Sequence, residues 1–83
     1  MRPMLIFVIS LMISAGVYAQ AQTEVAKSLN LAGAIEFRSG RYDVAIESFE
    51  QAIKAAPGYA PAYVNLGTVY IRLKKYDKAK QVL

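Results

Sequence analysis

Ser39 and Ser48 are hydroxyl nucleophiles by type, and Glu47 and Glu50 are carboxylates one helical turn apart. A serine becomes a nucleophile only when a neighbouring base draws off its proton, and the sequence has no histidine to do this. It has no cysteine either, which excludes a thiol nucleophile, a disulfide framework, an iron–sulfur site and a thiolate zinc site. Glu47 and Glu50 fit the solvated outer face of a helix better than acid–base work. The five glycines are scattered and form no phosphate-cradling loop, so no cofactor is expected. The groups left for chemistry are amide and guanidinium donors, Asn30, Asn65, Arg38 and Arg72, and these recognise rather than react. The chain reads as non-catalytic, with no catalytic residue and no metal site.

The elements that position these donors show in the apolar spacing. Tyr42, Ala45, Ile46, Phe49, Ala52 and Ile53 make one helical stripe, which Pro57 and Gly58 end. A helix over roughly 24–38 precedes it, with Gly40 just past its end where a left-handed cap favours glycine. A third runs from Ala60 to Leu73 with Pro61 in its first turn, where a missing N–H costs nothing, and its stripe is Tyr63, Leu66, Gly67 and Tyr70. A short last helix starts at about Tyr76. There is no strand signal.

A shift of 34 residues superposes Ala26 on Ala60, Gly33 on Gly67, Arg38 on Arg72, Tyr42 on Tyr76, Asp43 on Asp77 and Ala45 on Ala79. A fixed period with two helices per unit is an internal repeat. The pattern resembles the tetratricopeptide repeat (TPR) family. Its offsets carry Leu29, Ala32-Gly33, Glu36, Ala45, Phe49, Ala52 and Pro57 in a first unit, residues 26–59. They carry Tyr63, Leu66-Gly67, Tyr70, Ala79 and Leu83 in a second, incomplete unit, residues 60–83. The resemblance implies an all-α, right-handed α–α superhelix of about one and two-thirds repeats, in which glycine and alanine leave notches for bulkier neighbours. Ala32 and Glu36 depart from the family's Leu and Tyr and predict looser packing of the first helix. Lys74 stands where Gly40 stood, and a left-handed lysine costs roughly 1–2 kcal/mol, so another turn is expected there. The second unit lacks its closing residues, so the sequence reads as truncated at its carboxyl end, its core finished by further repeats, self-association or a partner.

The resemblance also implies a groove lined by the first helix of each unit, presenting Lys27, Asn30, Leu31, Ala34, Phe37 and Arg38, then Val64, Asn65, Thr68, Ile71 and Arg72. Apolar residues among amide and guanidinium donors suit a protein or peptide partner held as an extended segment or helix. Some members of the family clamp terminal carboxylates of chaperone tails with lysine and asparagine. This sequence matches that pattern at Asn65 alone, so that activity is not assigned.

The sequence before the repeat is a different kind of chain. Arg2 precedes an uncharged run, Met4–Val17, and Val17 and Ala19 fit the small-residue positions of a secretory leader. Residues 1–19 are read as a signal peptide cut between Ala19 and Gln20, with a cut after Ala21 second, and residues 20–25 as a lead-in. The run is short for a membrane anchor, so no stable span is expected after cleavage. Export, on the pattern of a Gram-negative periplasmic protein, argues against nucleic acid as a partner for the cations Arg72, Lys74, Lys75, Lys78 and Lys80, and a solvated face is expected. Two alternatives are an amino-terminal array of a longer envelope enzyme or sensor, and a module tethered by an uncleaved leader.

Overall fold

The computed structural model describes the backbone of residues 2–83 and the side chains of residues 16–83. Its four helices are α1 (Arg2–Arg38), α2 (Tyr42–Ala55), α3 (Ala60–Arg72) and α4 (Tyr76–Val82), with no strand among the described residues. Each packs on the next, and α1 also packs on α3, so the two hairpins lie side by side. The fold is the all-helical repeat array that the period predicts.

The largest difference from the expected elements is the start of α1. No proline falls between Arg38 and Pro3, and the stretch from Ala19 to Ala26 is mostly good helix formers, so nothing stops the helix at residue 24. The Thr23 hydroxyl donates to the Ala19 carbonyl at 3.0 Å, within the same helix. The lead-in is thus continuous with the first repeat helix. Most of the run read as a leader, up to residue 15, lies outside the residues whose side chains are described. Among those that are described, no helix is long and apolar enough to cross a membrane.

The core forms where the stripes of α2 and α3 meet. Ala45, Phe49, Leu66, Val69, Tyr70 and Ala79 are buried together, with Phe37, Tyr42, Ile46 and Val82 packed around them. A second cluster, Ala26, Ala52 and Ala62, seats three helices against one another through side chains small enough to allow it. A Cβ added at Gly33 would stand 2.6 Å from the Phe49 ring, which accounts for the glycine. At Gly67 the same Cβ would meet the Leu83 side chain at 2.6 Å. Val69 is fully buried although it lies outside the apolar stripe that the spacing marks on this helix. Tyr63 is half-buried, and its hydroxyl donates to the Pro57 carbonyl at 2.6 Å, bracing the turn into α3.

The two helix–helix corners share one turn. At the first, the Arg41 N–H donates to the Glu36 carbonyl at 2.9 Å and the Gly40 N–H to that of Phe37 at 3.0 Å, with Gly40 at φ 80°. At the second, the Lys75 N–H donates to the Tyr70 carbonyl at 2.8 Å and the Lys74 N–H to that of Ile71 at 2.9 Å. This pairing is the Schellman motif, which needs a left-handed residue. Lys74 supplies it at φ 61°, so the expectation of another turn is corrected. Two hydrogen bonds and the packing of α3 on α4 hold the lysine where its own preference would not.

Candidate functional site

α1 and α3 present adjacent faces, and the expected groove residues fall on them. Asn30, Ala34, Phe37 and Asn65 are half-buried, while Lys27, Leu31, Arg38, Val64, Thr68, Ile71 and Arg72 are exposed. The helical rise places Val64 and Ile71 about 10 Å apart along α3.

On this face two side-chain pairs cross from one unit to the other. The Asn65 Nδ2 donates to the Asn30 Oδ1 at 2.9 Å. Among the described residues that bond leaves the Asn30 Nδ2 and the Asn65 Oδ1 without a hydrogen-bond partner, a donor and an acceptor of the kinds a peptide group pairs with. The Arg72 guanidinium lies 5.5 Å from the centroid of the Phe37 ring, within cation–π range, and Phe37 packs on Tyr42 with ring centroids 5.4 Å apart.

The other groove residues are less engaged. Lys27 pairs with Glu24 at 3.2 Å, an exposed i,i+3 contact of small worth. The Thr68 hydroxyl donates to the Val64 carbonyl at 2.8 Å and so is occupied by its own helix. Arg38 makes no ion pair among the described residues, since the carboxylate nearest in sequence, Glu36, is taken by Arg41.

Where α3 meets α2 and α4 the chemistry is different. The Tyr70 hydroxyl points toward Glu50 Oε1 at 3.5 Å, with Lys78 5.8 Å from the centre of its ring. Burial pushes the Tyr70 phenol above its ordinary range, and the charge of Glu50 and its hydrogen bond add to the effect. Among the described residues no group of three or more acidic, histidine or cysteine side chains is placed to hold a metal.

Two features escape the sequence. The approach of Arg72 to the Phe37 ring joins residues 35 positions apart whose chain neighbours give no sign of it. A cleft of about 500 Å³ opens between Ala19, Gln22 and Thr23 on α1 and the turn from Ala55 to Tyr59. It follows from the unbroken α1, which the sequence reading starts too late to foresee.

The sequence model of the tetratricopeptide repeat family matches residues 36–83, more than half of the chain. Comparison with curated proteins and with solved structures gave no match. The matched span takes in α2, α3 and α4, and the structure supplies the helix that pairs with α2.

Proposed function

The chain belongs to the tetratricopeptide repeat family, whose units are typically non-catalytic and bind proteins, and we propose that it is an exported interaction module holding a partner segment along the α1–α3 face. The observation that carries this reading is the composition of that face. Leu31, Val64 and Ile71 are exposed, at 62%, 54% and 47%, beside the free amide groups of Asn30 and Asn65. Apolar side chains supply area, and the amide pair registers a peptide backbone. At equivalent positions of the 34-residue period Asn30 stands opposite Val64 and Leu31 opposite Asn65, so each helix offers both an amide and an apolar side chain to a segment running across both units.

A photo-crosslinking residue placed at Val64 or Ile71 is expected to capture the same partner protein, while one at the exposed Val44 on α2 captures none. Equal capture from Val44 refutes the groove. The exported location rests on Arg2, the apolar run and the Val17–Ala19 pair, and cleavage would require α1 to unwind at Ala19. Val17 and Tyr18 are exposed there, so unwinding sacrifices little packing. Amino-terminal sequencing of the mature protein should begin at Gln20 or Gln22, and an intact Met1 would rule the cut out.

A further inference from the structure

Of the three cations on the α1–α3 face, Lys27, Arg38 and Arg72, Lys27 has an ion pair and the two arginines do not, among the described residues. Glu24 pairs with Lys27 and Glu36 with Arg41, while Glu50 accepts from Tyr70. Arg38 and Arg72 remain without an ion pair among the described residues. Residues 60–83 carry five cations against Asp77 alone.

A cation in the last turn of a helix is favoured by the helix dipole, and both arginines sit in such a turn. That effect explains the charge but not the posture. Arg72 lies over the Phe37 ring of the neighbouring unit, and Tyr42 packs against the same ring at a tilt. A guanidinium within cation–π range of a ring still has N–H groups to donate to a planar anion. Arg38 occupies the same repeat position one unit earlier. The exposed Ile71 and Val64 lie on the same face.

From this arrangement we propose that the Phe37–Arg38–Arg72 end of the face receives carboxylate side chains, so the partner's docking segment is acidic as well as apolar. The proposal rests on the groove reading above and adds the charge of the occupant to it. A protein segment is favoured over nucleic acid because the same face carries the exposed aliphatic residues Leu31, Val64 and Ile71, and Phe37, beside Arg72, is half-buried and not an open platform for a base.

The test uses the full 83-residue chain and three labelled peptides of alternating leucine with glutamate, glutamine or lysine, read by fluorescence anisotropy. The glutamate peptide is expected to bind about tenfold more tightly than the glutamine peptide at low salt, with the lysine peptide weakest. Arg72→Gln and Arg38→Gln should each erase most of that preference. Lys78→Gln and Lys80→Gln, which remove the same charge from α4, should leave it. Equal affinity for the glutamate and glutamine peptides overturns the proposal while leaving the groove standing. Equal loss from the α4 variants also overturns it, since a diffuse field would then suffice. So does an oligonucleotide that binds through Arg38 and Arg72 as tightly as the glutamate peptide. The groove itself is read separately: if Val64→Ser with Ile71→Ser leaves the glutamine peptide's affinity unchanged, the face is not the docking surface, and the acidic site on it falls too.

Discussion

Ser28, Ala32, Ile35 and Glu36 on α1 occupy the same repeat positions as Ala62, Leu66, Val69 and Tyr70 on α3. The second set is buried, because α2 covers it. In the first set Ser28, Ala32 and Ile35 are exposed and Glu36 is half-buried. On the far side the relation reverses. Phe49 is 1% exposed, whereas Leu83, its counterpart, is 66% exposed, and Tyr76 is open where Tyr42 is half-buried. Unit one thus has an open face that is mostly small or polar, and unit two has an open face that is apolar. Residue type follows what lies against each position, not the period alone. The departures Ala32 and Glu36, which predict loose packing, are exposed and half-buried where their counterparts Leu66 and Tyr70 are buried.

The widest split is expected between Phe49→Ala and Leu83→Ala. Emptying the Phe49 site should cost about 3–5 kcal/mol, while the exposed leucine should change stability by less than about 0.5 kcal/mol. Urea denaturation followed by circular dichroism measures both, and similar losses would mean that the two units are covered alike.

A smaller split separates the two notch glycines. Gly33→Ala drives a methyl group into the buried Phe49 ring, an overpacking cost of about 1–3 kcal/mol that outweighs the roughly 1 kcal/mol gained in helix propensity. Gly67→Ala meets a leucine that is free to swing away, so the propensity gain should prevail and the melting temperature should hold or rise. The sequence treats the two glycines as equivalent. A loss at Gly67 matching that at Gly33 would restore that equivalence.

The corners offer the next contrast. Lys74→Gly should stabilise by about 1–2 kcal/mol, because glycine adopts the left-handed turn without strain, and Gly40→Lys should lose a similar amount. If Lys74→Gly gives no gain, the second corner is not held in that turn.

The finest contrast concerns pH. The phenol of Tyr70 ionises less readily in the folded chain than in the unfolded chain. Its contribution is therefore fully present below the ordinary tyrosine range and is lost as pH rises through the elevated folded value. Tyr70→Phe should flatten the fall in stability above about pH 10 relative to the parent. An identical alkaline profile would show that the burial of unit two's first face does not reach this hydroxyl.

Much of this architecture is legible in the residues. The stripe from Tyr42 to Ile53, the stop at Pro57 and Gly58, and the 34-residue superposition locate α2, α3 and the corners. Arg38 and Arg72 can be placed at helix ends from the same register. The start of α1 cannot, because the sequence offers no breaker there and a change in composition is not a change in backbone. The deep burial of Val69 beside the exposure of Ile35 is equally hidden, since two similar aliphatic residues at one repeat position carry no record of their neighbours.

By itself, the sequence determined the periodic part: helical spacing, small residues at close approaches, and donors on one side, all of which depend on contacts within a turn or a hairpin. The tertiary structure alone decided which copy of each position is covered, that Lys74 must adopt the left-handed turn, and that Arg72 rests on Phe37. Those outcomes depend on side chains brought together from different units, and their energies come from partners that no local pattern names.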